Sequence, residues 1–182
     1  DPGYELIQAA IERGHPVVPV PGPTAPVTAL VVSGLPTDSF LFLGYLPRRQ
    51  SKRRGLLEDV ARERHTLIVF ETPHRLRQSL GDVEDVLGDR SLALCREMTK
   101  VHEEIWRGTV SQARAHFESH EPRGEFTLVI DGRSQEEARW GEDQVRTALE
   151  DLLAQGVRRP EAAKRVAELS GWDRSAVYQL GL

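Results

Sequence analysis

Apolar positions recur along the chain in two rhythms. Short compact runs at Val17–Val20, Phe40–Leu46, Thr66–Phe70, Leu92–Cys95, Glu104–Arg107 and Phe126–Ile130 predict strands, and Thr66–Phe70 predicts a central strand covered on both faces. Between them the spacing turns helical. Tyr4–Arg13 carries Leu6, Ile7, Ala10 and Ile11 on one face, and Val27–Val32 ends at Gly34 with Pro36 beyond. A helix with Leu56, Leu57, Val60 and Ala61 is expected to run to about Arg64. Another opens at Thr72-Pro73, aligns Leu76, Leu80, Val83 and Leu87, and closes at Gly88, and a further one spans Gln112–Ser119. Strands alternating with helices predict an α/β fold.

After a polar linker, Ser134–Gly141, the rhythm is helical alone. Val145, Ala148, Leu149, Leu152 and Leu153 share one face, Pro160 opens a second helix with Ala163, Val166 and Ala167, and Ser170-Gly171-Trp172-Asp173 turns into a third with Ala176, Val177 and Leu180. Two helices joined by a glycine-containing turn read either as a helix-turn-helix or as a tail packing on the main domain or a partner subunit.

A chain of 182 residues, 39% hydrophobic and 29% charged, has room for a substantial core. Neither a membrane-span-length apolar run nor a signal peptide is visible. The single cysteine, Cys95, sits in the apolar run Ser91–Cys95, reads as a core residue and fits a reducing, cytoplasmic location. A net charge of −4 argues against nucleic-acid binding by the whole surface. Arg48, Arg49, Lys52, Arg53 and Arg54 nevertheless cluster around a helix start, where cations oppose the helix dipole. That placement favours a polyanion contact over a solvated face. The six histidines show no metal-ligand spacing, so no metal is expected. There is no phosphate-binding Walker loop, no dinucleotide glycine fingerprint and no evident Ser/His/Asp set. The opening Asp1-Pro2-Gly3 is a turn without an initiating Met, so residues upstream are expected.

Four segments place chemistry at strand ends, the edge where α/β sheets hold ligands. Pro21-Gly22-Pro23-Thr24-Ala25 is a stiff turn in which Thr24 is placed to cap the next helix and Pro26 fits its first turn; a purely structural corner would look the same. Phe70-Glu71-Thr72-Pro73-His74-Arg75 gathers a carboxylate, hydroxyl, imidazole and guanidinium, with Glu71 also readable as a capping partner or an ion-pair acceptor for Arg75. Cys95-Arg96-Glu97-Met98-Thr99-Lys100 sets acid and base in one loop, for proton transfer, phosphate contact or mutual neutralisation. In Gly124-Glu125-Phe126-Thr127 the glycine permits close backbone approach.

Taken together, these segments and Asp1-Pro2-Gly3 resemble the tetrapyrrole-methylase superfamily, and within it the ribosomal RNA small subunit methyltransferase I family. The basic stretch from Gly44-Tyr45-Leu46-Pro47 through Arg54 and the helical tail match the same branch. The resemblance implies an S-adenosylmethionine enzyme of two α/β domains, homodimeric, that 2′-O-methylates a cytidine of 16S rRNA, with the free rRNA or the 30S subunit as partner and no membrane. It implies that residues 1–36 are the end of the first domain, whose earlier part is missing, that 37–133 form the second, and that 142–182 form the tail. It points to Pro23, Thr24, Ala25, Phe70, Glu71, Met98, Phe126 and Thr127 as cofactor neighbours. Glu97 or Glu71 is then expected to accept the hydrogen bond of the 2′-hydroxyl, with Lys100 or Arg96 on a nearby phosphate and Arg48, Arg49, Lys52, Arg53, Arg54 and Arg96 on RNA. A methylase of a corrinoid or of a protein residue, and a non-catalytic RNA- or ribosome-binding module, are the alternatives.

Overall fold

A computed structural model describes residues 3–134 and 140–180. In chain order the elements are α1 (Tyr4–Glu12), α2 (Ala25–Ser33), β1 (Phe40–Tyr45), α3 (Gln50–Asp59), β2 (Thr66–Glu71), α4 (Pro73–Leu87), β3 (Ser91–Arg96), β4 (Glu104–Thr109), α5 (Val110–Ser119), β5 (Phe126–Ile130), α6 (Glu142–Ala154), α7 (Arg159–Ser170) and α8 (Arg174–Leu180). The five strands form one sheet in the order β1-β2-β5-β3-β4. β1 runs parallel to β2, while β5 is antiparallel to both β2 and β3. The C-terminal ends of β1, β2 and β3 therefore meet the N-terminal end of β5 along one edge.

Strand side chains alternate between two cores, as the pleat requires. Leu67, Val69, Leu92, Leu94, Phe126, Leu128 and Ile130 face helices α3, α4 and α5, burying Leu57, Leu76, Leu80, Val83, Val110 and Ala113. Ile68, Ala93, Cys95 and Val129 face the other way, against Ala29 and Leu30 of α2. Arg107 of β4 holds α2 in place: its Nε donates to the carbonyls of Val32 at 3.1 Å and Ser33 at 3.2 Å, putting a cation on the helix C-terminus. Thr109 and Gln112 form a reciprocal capping box at the start of α5. Helices α6, α7 and α8 bury Val145, Leu149, Ala162, Ala163, Val166 and Val177 among themselves.

The structure departs from the sequence reading in several places. Val17–Val20 is not a strand: it pairs with no other strand, and Val18 and Val20 are 79% and 91% exposed. An apolar run becomes a strand only where a neighbour takes its backbone hydrogen bonds, and none of the five strands does so. Helix α1 forms as expected, but Leu6, Ile7 and Ile11 of its apolar stripe stay exposed. Helix α3 stops at Asp59 rather than near Arg64. The linker read at Ser134–Gly141 lies largely outside the described residues, as do Asp1 and Pro2 of the opening turn. Among the described residues no helix is long and apolar enough to cross a membrane.

Arg53, expected on an RNA-binding surface, is wholly buried instead. Its Nε donates to Asp82 Oδ2 at 2.8 Å, Nη2 lies 2.6 Å from the same oxygen, and Nη1 donates to the Pro47 carbonyl at 3.2 Å. Gln50 and Arg54 donate to Asp82 Oδ1 at 3.0 and 3.2 Å, and Arg54 also reaches Asp85 at 2.9 Å. Burial opposes ionisation of Asp82, but the hydrogen bonds from Gln50, Arg53 and Arg54 outweigh it and draw its pKa below the ordinary 3.8. A carboxylate with a depressed folded-state pKa stabilises the protein above its ordinary pKa, and the contribution fades as pH falls through the folded value. Asp82→Asn, which strands the Arg53 charge, should cost about 3 kcal/mol at neutral pH and lower Tm by roughly 6–12 °C. Urea unfolding of both forms should show the difference shrinking below pH 3.8; a difference constant with pH would refute this role of the pair.

Candidate functional site at the strand-end edge

At the edge where β1, β2 and β3 end and β5 begins, a cavity of about 230 Å³ opens beside the start of α2. Its walls are Ala25, Tyr45, Phe70, Cys95, Glu97, Met98, Lys100, Glu125, Phe126 and Thr127. Segments far apart in sequence thus meet here: the start of α2, the ends of β1 and β2, the β3–β4 loop and the start of β5. Of the residues singled out from the sequence, Ala25, Phe70, Glu97, Met98, Lys100, Phe126 and Thr127 line this one cavity.

The β3–β4 loop is held in an uncommon conformation. Glu97 and Thr99, on either side of Met98, have φ of +46° and +64°, values that L side chains rarely adopt. Glu97 Oε1 accepts from the Glu125 N–H at 3.1 Å, and Oε2 pairs with Lys100 Nζ at 3.0 Å. Glu103 Oε2 accepts from the Thr99 N–H at 2.6 Å. Lys100, followed by the Glu125 N–H, holds the Glu97 carboxyl below its ordinary pKa, so it is an ionised hydrogen-bond acceptor at neutral pH. Gly124, at φ +74°, gives this carboxylate its room: a Cβ there would lie 2.7 Å from Glu97 Cγ. Burial pushes the Cys95 thiol up to about 11, so it stays protonated and serves as wall, not nucleophile.

Glu71 takes a different place from the one expected of a catalytic or cofactor-binding residue. It is fully buried and its oxygens are occupied by the Thr72 N–H at 2.7 Å, the Ser79 hydroxyl at 2.6 Å and the Arg75 guanidinium at 2.7 Å. Arg75 in turn donates to the Leu46 carbonyl at 3.0 Å. The pleat decides this: Phe70 shares the α2 side with Ile68, so Glu71 points to the α3–α5 side. Pro23 and Thr24 precede Ala25 but do not line the cavity, and Thr24 makes no side-chain cap on α2.

Of the expected RNA-contacting cations, Arg54 is committed to Asp82 and Asp85, and Arg96 pairs with Glu104 at 3.0 Å. Arg48, Arg49 and Lys52 are exposed. The sequence reading missed Tyr45 and Glu125 as wall residues and took Cys95, also a wall residue, for core alone. Both missed residues stood in stretches already marked, and applying the strand-end rule to β1 as well would have found Tyr45.

The lining combines the rings of Tyr45 and Phe70 and the Met98 thioether with a hydroxyl, carboxylates and an ammonium, while Phe126 borders the cavity with its ring packed on Phe117. Flat apolar walls with a few polar groups suit a purine nucleoside. The volume lies below the roughly 300–1,000 Å³ of most small-molecule sites, so the cavity matches part of such a ligand.

Residues 1–114 match the family model of Tetrapyrrole (Corrin/Porphyrin) Methylases. The chain belongs to this family. Among curated proteins it is 44% identical to "Ribosomal RNA small subunit methyltransferase I" of Synechocystis sp., covering 100% of this chain and 66% of that one. It is 42% identical to the protein of that name from Halalkalibacterium halodurans, covering 99% and 64%, and 37% identical to that from Bacillus subtilis, covering 98% and 63%. The chain thus spans slightly less than two thirds of the length of these relatives. Among solved structures, cobalt precorrin-4 methyltransferase CbiF matches with a TM-score of 0.52 at 16% identity, over 71% of this chain and 57% of that one. The methyltransferase CobJ gives 0.53 at 16% identity, over 71% and 56%. At that identity the likeness concerns the fold.

Gly124→Ala would force a side chain into a left-handed backbone and against Glu97. A loss of about 1–2 kcal/mol is expected, read from urea denaturation, whereas Gly81→Ala in the interior of α4, where a Cβ meets nothing within 4 Å, should be neutral or stabilising. Equal behaviour of the two variants would contradict the contact.

Proposed function

We propose that the whole protein uses S-adenosylmethionine to methylate the ribose 2′-hydroxyl of a cytidine in 16S rRNA, as free rRNA or within the 30S subunit, as a cytoplasmic homodimer. The observation that carries this reading is the single cavity assembled from Ala25, Phe70, Met98, Phe126 and Thr127, residues of separate segments, in a chain so similar throughout to rRNA methyltransferases. Residues 1–36, 37–133 and 142–182 are then the end of a first α/β domain, the second domain and a helical tail.

When bound, S-adenosylmethionine supplies an electrophilic methyl group on a sulfonium, open to in-line attack by oxygen. The aromatic walls would take its adenine by stacking, and Thr127 and the backbone at Ala25 would offer polar contacts. The chain's own task is alignment, which holds the hydroxyl oxygen at attack distance. Glu97 accepts the hydrogen bond of the 2′-hydroxyl and so turns an oxygen lone pair toward the methyl. Its depressed pKa makes it a weak base. That suffices because the oxygen turns strongly acidic as its bond to the methyl carbon forms: the proton leaves through Glu97 to solvent, and the electrons of the breaking carbon–sulfur bond would stay on sulfur. Lys100, exposed on the same loop, pairs with Glu97 and meets a neighbouring phosphate. Glu71 and Arg96 leave the scheme, being committed to Arg75 and Glu104.

In the full-length protein, Glu97→Gln should lower kcat on the order of a hundredfold, and Lys100→Ala should raise KM for RNA by about tenfold, both with unchanged thermal midpoints. Methyl transfer would be followed with 30S subunits, naked 16S rRNA and a precorrin as acceptors. Near-normal turnover of both variants discards the residue roles, and transfer to the precorrin alone discards the RNA substrate. Calorimetry with S-adenosylhomocysteine on this chain and on the full-length protein should give tighter binding to the latter.

A further inference from the structure

A second and larger recess, about 660 Å³, adjoins the cavity at Tyr45. Its walls include Tyr45, Pro47, Arg48, Thr72, His74 and Arg75. Tyr45 is common to both hollows. Its ring is braced by Phe70, with centroids 5.3 Å apart, and Phe70 is itself met edge-on by Phe42 at 5.0 Å. The ring is thereby packed on Phe70 while 51% of Tyr45 remains exposed.

The charge around this recess is one-sided. Arg75 is spent on Glu71 and on the Leu46 carbonyl. Arg48 and His74 are exposed, and among the described residues their side chains enter no hydrogen bond or ion pair. No acidic residue lines the recess. The Arg48 backbone is fixed from below, its carbonyl accepting from the buried Arg53 at 3.4 Å. A packed aromatic face beside an unpaired guanidinium and an imidazole is the chemistry that holds a nucleotide, stacking its base and meeting its phosphate. The volume falls within the range that encloses a ligand of that size.

We propose that this recess seats the nucleotide next to the one being methylated, with its base on the Tyr45 ring and its phosphate against Arg48 and His74. The proposal rests on the RNA-methylation reading and adds a substrate subsite to it. Because Tyr45 lines both hollows, they adjoin, and a ribose at the first with its chain neighbour at the second would be consecutive units of a single strand. Unstacked bases of single-stranded RNA are what an aromatic platform reads.

The test is fluorescence anisotropy of this chain with a short single-stranded oligoribonucleotide over a range of salt concentrations. Tyr45→Ile, which keeps apolar packing on Phe70 but removes the ring, should weaken binding by about tenfold, and Tyr45→Phe should bind as the unmodified chain does. Arg48→Gln should lower the slope of log affinity against log salt by roughly one phosphate contact. Lys164→Gln on α7, away from this edge, should leave affinity and slope unchanged. Thermal midpoints of all four variants guard against loss of folding, and Arg48, being exposed, gives a readout independent of Tyr45. If Tyr45→Ile and Arg48→Gln bind like the unmodified chain, or if Lys164→Gln loses as much as they do, the subsite is overturned while RNA recognition stands. If the unmodified chain binds no RNA, both fall.

Discussion

One buried carboxylate organises the edge on which the site is built. Glu71 has no access to water, and an ion so placed is tolerable only if its oxygens are fully answered. Thr72 answers from the first residue after β2, Arg75 and Ser79 from the first two turns of α4, and Arg75 carries the link on to the carbonyl of Leu46, the residue that follows β1. The end of β1, the end of β2 and the entry to α4 are thereby locked to one another. Phe70 and Tyr45, each one residue from a member of this network, inherit fixed positions. The residue that looks most like a catalyst in the sequence is the one that keeps the walls of the hollow in register.

The opposite wall depends on a different kind of constraint. The antiparallel β5, inserted between β2 and β3, brings Glu125 and Phe126 alongside the loop that leaves β3. That loop holds Glu97 and Thr99 in left-handed conformations that cost of order 1–3 kcal/mol each, and the hydrogen bonds from Glu125 to Glu97 and from Thr99 to Glu103 hold them there. Strain sustained by a charged hydrogen bond at a cavity wall is where function is sought, since packing alone gives no reason for it. Gly124 completes the arrangement by leaving space where any side chain would strike Glu97.

Most of the sheet was legible in the sequence because the pleat writes itself as period two and the helices as period 3.6. Thr66–Phe70 was recognisable as a central strand since both of its faces are covered, and Leu76, Leu80, Val83 and Leu87 mark the buried stripe of α4. What escaped was direction at single-residue resolution. Phe70 and Glu71 are neighbours at a strand end, and a one-residue change of phase would exchange wall and anchor. Only the packing of α2 against Ile68 fixes which side is which, and that contact spans sequence distances that local pattern does not reach. Val17–Val20 failed for the complementary reason: its composition suits a strand, but a strand is a property of two segments.

The basic segment shows the same limit in electrostatic form. Lys52, Arg53 and Arg54 are successive residues of one helix, and the helical turn sends them to different surroundings: Lys52 to solvent, Arg53 into the core onto Asp82, and Arg54 between Asp82 and Asp85. The acidic partners sit three residues apart on α4, one turn, so a single face of that helix neutralises two cations. Counting charges along the sequence therefore overstates the free positive surface, and the overall charge of −4 understates it. Arg48, Arg49 and Lys52 are left exposed to solvent, next to the end of β1 and the start of α3. These three cations are a local excess of positive charge in a chain whose overall charge is negative.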